Sequence, residues 1–313
     1  MRLLLPVVAL FAACASPAAG PQIVGTPRVN SAAARATALS TLGTRLSAAI
    51  AAVPGAEVAV WLRDLGSGDS VTINPDVSFH AASTMKVPVM IELFRRADAR
   101  FTSLDNELFL QNRFSSIVDA SQYSLSPSDD SDSSLYAMVG SNVTLRTLNE
   151  RMITRSSNLA TNAVIQYLDP RRVNATAHAL GARNMQVLRG VEDSKAFAKG
   201  LNNTTTARDL GVLLVAIERG RAASRASCDA MRQVLLHQEF SGEIPAGLPP
   251  GTPVAHKTGW ITGTLHDAAI VYPHGRAPYV LVVLTRRIPK ENDARQLIVA
   301  LSREVYGWAM ASR

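Results

Sequence analysis

Ser83 and Lys86 stand three residues apart in Phe79-His-Ala-Ala-Ser-Thr-Met-Lys86, ahead of an apolar run from Val87 to Ala97 that reads as a helix. On a helical turn this spacing puts a hydroxyl and an ammonium on one face, within mutual reach. A serine hydroxyl is a weak nucleophile until a base removes its proton, and a lysine desolvated or placed beside another cation can be that base. The start of a helix also offers free backbone N–H groups and the positive end of the helix dipole, both suited to an oxyanion. Alone, the pair reads as readily as a capping serine followed by a solvated lysine.

Two further groups change the balance. Ser156-Ser-Asn158 precedes the helical run Leu159 to Tyr167, and Lys257-Thr-Gly259 lies in a strand pattern that starts at Val254. Separately these are a helix cap and a strand entering a turn. Together they complete an acyl-transfer site: a hydroxyl to relay a proton, a carboxamide to hold a substrate amide, and a lysine and threonine for a substrate carboxylate.

The elements that must position these residues follow from periodicity. Asn30 to Ala52 carries Leu42, Leu46 and Ile50 at helical spacing, and Glu57 to Arg63 and Ser70 to Asn74 alternate as strands around the turn Gly66-Ser-Gly-Asp69. The middle is helical in pattern, with Leu145 to Tyr167 as one run and Thr206 to Glu218 as another; it is interrupted by the polar stretch Ser121 to Ser134, whose Asp129, Asp130 and Asp132 read as a solvated surface loop. Strand patterns return at Val254 to Gly259, His266 to Tyr272 and Tyr279 to Arg286, and an amphipathic helix from Ala294 to Ala309 closes the chain. The predicted fold class is α+β: one antiparallel sheet formed from both chain ends with flanking helices, plus an inserted all-helical subdomain. The sheet part is expected over about 30–82 and 226–313, and the helical part over about 83–225.

The ordered set Ser-x-x-Lys, Ser-x-Asn and Lys-Thr-Gly resembles the class A β-lactamases and the related penicillin-recognising serine hydrolases. The likeness runs over roughly Asn30 to Arg313 and includes Val143-Thr-Leu-Arg-Thr-Leu148 and Thr204-Thr-Thr206. It implies a serine β-lactamase in which Ser83 attacks the carbonyl of a β-lactam or peptide and Lys86 helps deprotonate it. It further implies that Ser156 passes a proton to the leaving nitrogen, that Asn158 binds the acyl side-chain amide and that Lys257 and Thr258, in the Lys-Thr-Gly259 motif, hold the substrate carboxylate. The backbone N–H groups of Ser83 and Trp260 would form the oxyanion hole.

Two departures bear on function. Ser157 stands where class A enzymes usually have Asp. Those enzymes also carry a Glu followed closely by Leu-Asn that positions the deacylating water, whereas this chain reads Arg189-Gly-Val-Glu-Asp-Ser-Lys-Ala-Phe197. Glu192 is the candidate base, but Ala196 stands where the Asn is expected, and Lys195 is expected to pair with Glu192 on one helical turn. Rapid release gives a β-lactamase; slow release gives a DD-peptidase, an esterase or a penicillin-binding protein that takes up one acyl group and stops.

Composition narrows the alternatives. The chain has 313 residues, 47% hydrophobic and 18% charged, so wholesale disorder is excluded. Lys and Arg number 32 against 25 Asp and Glu, a net charge of +7 compatible with anionic substrates or an anionic envelope surface. No basic run with interleaved aromatics suggests nucleic acid, no metal-ligand spacing or phosphate loop implies a metal or cofactor, and a monomer acting on a small molecule is expected. His266 reads as strand packing, His256 as a neutral surface residue and Cys228 as a small core residue. Met1 to Gly20 has the order of a secretory signal, with either a lipoprotein-type site ending before Cys14 or cleavage near Ala19, so export to the periplasm or cell envelope is expected.

Overall fold

Strands from the two ends of the chain lie side by side because four of the five are buried along most of their length, on both faces. The structure is a computed structural model that describes residues 31–311; the expected signal segment and Cys14 lie outside them. Strands β1 (Glu57–Asp64) and β2 (Ser70–Ile73) form a hairpin, and β3 (Val254–Ile261), β4 (Thr264–Val271) and β5 (Tyr279–Arg286) follow near the end. All pair antiparallel in the order β2-β1-β5-β4-β3. Glu57 stands opposite Arg286, and Thr258 opposite Asp267.

Helix α1 (Ser31–Ala51) covers one face of the sheet together with the terminal helix, Glu291–Ala311, burying Leu42, Leu46, Leu297 and Leu301 against Val58, Val60, Leu281 and Val283. The opposite face presents Ala59, Trp61, Val280 and Val282 to the helical half of the molecule. Each fully buried aliphatic side chain of this kind contributes about 1.5–3 kcal/mol. Helix α2 (Lys86–Asp98) runs through that half, and every residue from Lys86 to Phe94 is buried. Such a helix has no polar face, which places Lys86 out of water before any partner is counted.

The structure divides the expected run Leu145 to Tyr167 into α3 (Leu145–Thr154) and α4 (Asn158–Leu168). The break is at Ser156, whose φ of 56° is left-handed and incompatible with a continuing helix. Ser157 then caps α4 by accepting from the Ala160 N–H. The acidic stretch before it is also corrected: Asp130 and Asp132 are buried, not solvated. Asp130 accepts from the backbone N–H groups of Asn158 and Leu159 and from the Tyr136 hydroxyl, and Asp132 takes the guanidinium of Arg151. A carboxylate on the free N–H groups of a helix start is favourable by charge and by dipole. Ser157 and Asp130 thus share the capping of α4.

Candidate active site

Ser83 lies in a 3₁₀ turn, Ala82–Met85, that leads directly into α2. Ala82 takes a left-handed φ of 45°, and no side chain caps the turn or the helix, so Ser83 is not occupied as a cap. Its Oγ is 2.9 Å from Lys86 Nζ. Lys86 reaches three other acceptors: Ser156 O at 2.6 Å, Ser156 Oγ at 3.1 Å and Asn158 Oδ1 at 3.1 Å. The left-handed turn at Ser156 thus aims both its carbonyl and its hydroxyl at one amine.

Lys257 comes from the other side. It is fully buried on β3, 3.1 Å from the same Ser156 Oγ and 3.0 Å from Thr258 O. Ser156 Oγ therefore stands between two lysines. Burial holds the Lys86 pKa well below its ordinary value, and the charge of Lys257 pushes the same way against the pull of Asp130 and Glu192. Burial also lowers Lys257, to about 7, with Asp267 and then Glu243 opposing.

β3 is one of the sheet's two edge strands, and its approach to the Ser83 turn depends on Gly259. A Cβ there would lie 3.1 Å from Thr84 Cγ2 and 3.2 Å from the Ser83 nitrogen. The contact sets Gly259 closely against the Ser83 turn. Two openings flank this point. One, about 430 Å³, is bordered by Asn158, Glu192, Phe197 and Trp260; the other, about 570 Å³, extends from Ser83 past Ser156 and Thr258 to Glu243 and Arg295. The structure therefore brings Ser83, Lys86, Ser156, Asn158, Lys257, Thr258, Gly259 and Trp260 to one cleft.

The beta-lactamase enzyme family model matches residues 41–309, a span that holds all three motifs. The chain belongs to the beta-lactamase enzyme family. A β-lactamase of Streptomyces albus G is 28% identical over 245 residues, covering 77% of this chain and 75% of that protein. Among solved structures, PBP-A is similar with a TM-score of 0.75 and 26% identity, over 87% of this chain and 97% of that one. A β-lactamase from Sphaerobacter thermophilus gives 0.73 and 26%, over 85% and 98%.

Beyond these family motifs, the loop before Thr204 differs from its expected pairing. Lys195 does not meet Glu192; its ammonium is 2.8 Å from Asp119 and 2.7 Å from Ser121 Oγ. The short helix here spans Ser194–Ala198, so Glu192 lies outside it, on left-handed backbone at φ 61°, and the two side chains do not share a helical face. Glu192 is exposed and accepts from Asn158 Nδ2 at 3.3 Å. The residue gripped from below is its neighbour: Asn162 takes the Val191 N–H at 2.6 Å and gives to the Val191 carbonyl at 3.0 Å. Gly190 leaves room for that amide, since a Cβ would fall 2.2 Å from Asn162 Oδ1.

His256 is corrected from surface to interior: it is 2% exposed, with Nδ1 3.0 Å from Asp267 Oδ1. His266 is buried, with Nε2 2.9 Å from the His80 carbonyl, and burial lowers its pKa to about 4. Cys228 is buried within Arg225–Leu236. Sequence reading missed Asp130, Asn162, Glu243 and Arg295. Only Asp130 had a signal, an acid-rich stretch with no other use. Among the described residues no helix is long and apolar enough to cross a membrane, and no group of His, Cys, Asp and Glu is arranged to hold a metal ion.

Proposed function

We propose that this family member opens the β-lactam ring through an acyl-enzyme on Ser83, and the observation that carries the proposal is the unbroken path Ser83 Oγ, Lys86 Nζ, Ser156 Oγ, Lys257 Nζ. Neutral Lys86 takes the Ser83 proton as Oγ attacks the carbonyl carbon, while its N–H groups stay on Ser156 O and Asn158 Oδ1. The backbone N–H groups of Ser83 and Trp260 receive the oxyanion. As the C–N bond breaks, the nitrogen takes the Ser156 hydroxyl proton, and Lys86 returns its extra proton to Ser156. Lys257 and Thr258 hold the carboxylate on the leaving side, and Asn158 holds the acyl amide.

Release needs a water and a base, and Glu192 is the carboxylate beside Asn158 that can serve. Glu192→Gln is expected to slow release of a trapped acyl-enzyme by about 10²-fold or more while leaving its formation comparatively fast. Stopped-flow acylation paired with timed intact mass spectrometry measures both steps, and unchanged release removes Glu192 from the mechanism. A second reading, in which the acyl group persists, is favoured by Glu192 being exposed while Asn162 fixes Val191 instead. A PBP-A variant, itself an acyl-enzyme complex with penicillin G, resembles this chain at a TM-score of 0.73 and 26% identity. A wild-type acyl-enzyme that persists without turnover, and is released no more slowly by Glu192→Gln, would select this reading.

Export belongs to the proposal as well. Residues 1–20 are read as a secretory signal, with lipidation at Cys14 or cleavage near Ala19 as its two outcomes. The intact mass of the protein recovered from cells distinguishes them, and a retained Met1 contradicts export.

A further inference from the structure

The larger opening differs in charge from the rest of the molecule. The chain carries +7 overall, yet this wing is lined by the carboxylates of Asp129, Asp130, Glu192, Glu243 and Glu291, with Arg295 as its guanidinium. Most of these acids are accounted for: Asp130 holds the start of α4, Glu192 accepts from Asn158, and Glu291 pairs with Arg295. Glu243 is different. It is 4% exposed and lines the cleft, and its Oε1 receives Arg295 Nε at 3.1 Å, while its Oε2 is buried with no hydrogen-bond partner among the described residues.

A buried carboxylate oxygen left without a donor costs free energy unless something supplies one. The fold fixes Glu243 in place nonetheless. The next residue, Ile244, is held at both ends, its N–H 3.0 Å from Asp267 Oδ2 and its carbonyl 2.8 Å from Ser302 Oγ. Arg295 is engaged by two acids, so it orients Glu243 more than it presents a free positive charge. The result is a fixed acceptor on the same side of the cleft as Lys257 and Thr258.

We infer that Glu243 recognises an ammonium or other cationic donor group on the substrate, carried by the part that leaves with the scissile nitrogen. The assignment rests on the acyl-enzyme reading above, which sets that part of the substrate against Ser156, Lys257 and Thr258. It names a substrate class: molecules whose leaving side is zwitterionic, with a carboxylate for Lys257 and Thr258 and a cation for Glu243 Oε2. A cation brought to that oxygen supplies the missing partner and meets the field of the surrounding acids. An anionic substituent in the same position meets those acids without compensation.

Three chromogenic cephalosporin-type probes test this, matched except for a cationic, neutral or anionic substituent on the ring that carries the carboxylate. Rates of acylation by the wild-type protein are expected to fall in that order, by about tenfold between the cationic and neutral probes. In Glu243→Gln, which keeps an acceptor for Arg295, the cationic-to-neutral ratio is expected to drop about tenfold, toward one. Equal wild-type rates, or a ratio unmoved by the substitution, overturn the inference. Equal rates across the wild-type series overturn the inference even if the variant fails to fold. If no probe labels Ser83, the acyl-enzyme reading itself fails, an outcome distinct from labelling without charge preference.

Discussion

Ser83→Ala is expected to abolish covalent labelling by a β-lactam and to reduce turnover by about 10³-fold or more, because the variant has no atom that can carry the acyl group. The change should be nearly silent in stability. Ser83 is only partly buried, makes no cap, and among the described residues its side chain hydrogen-bonds to Lys86. Thermal unfolding beside the rate measurement separates lost chemistry from lost structure. A variant that hydrolyses at the wild-type rate would mean that Ser83 is not the nucleophile.

The second large effect belongs to Lys86. Replacing it with Met fills a similar volume but removes the base, and acylation of Ser83 is expected to slow by about 10²–10⁴-fold. The pH profile of the wild-type protein gives the matching signature. Lys86 is held well below the ordinary lysine range by burial and then by Lys257, so it is neutral at pH values where a solvated lysine is charged. As pH falls through that lowered pKa, Lys86 becomes protonated and cannot accept from Ser83, and the acylation rate drops. On the alkaline side, Lys257 loses its proton above about 7, and kcat/KM for a carboxylate-bearing substrate falls. The methyl ester of the same substrate should lose the alkaline limb and keep the acid one. A carboxylate substrate with no alkaline limb would remove Lys257 from substrate binding.

The three motifs were legible in the sequence because each is local: spacings of two or three residues determine which groups share a turn. The sheet was legible for a similar reason, since β-branched and alternating runs at both chain ends have no partner except each other. What lay beyond reach depends on distant segments folding back. Asp130 grips Asn158 from 28 residues away, and its polar neighbourhood makes the stretch look like solvated loop. Glu243 and Asp267 are 24 residues apart in sequence, yet both act on the charge of Lys257. The break at Ser156 falls inside a run with helical periodicity, where Ser156-Ser-Asn158 reads as a cap as readily as mid-helix, and the left-handed backbone at Ser156 decides it. The expected Lys195–Glu192 pair failed because the i, i+3 rule holds within a helix, and the helix begins after Glu192. Net charge was also a poor guide: a chain of +7 encloses a cleft wing whose charged lining residues are mainly acids.

The most direct test of the central claim is timed intact-mass and peptide mass spectrometry of the wild-type protein mixed with a chromogenic cephalosporin that has no leaving group on its fused ring, with absorbance followed in parallel. Opening a cyclic amide keeps the leaving nitrogen tethered, so the expected adduct has the mass of the whole substrate, lies on the peptide that contains Ser83, and decays as hydrolysed product accumulates over several turnovers. An adduct on any other residue, or ring opening with none, would contradict the acyl-enzyme on Ser83.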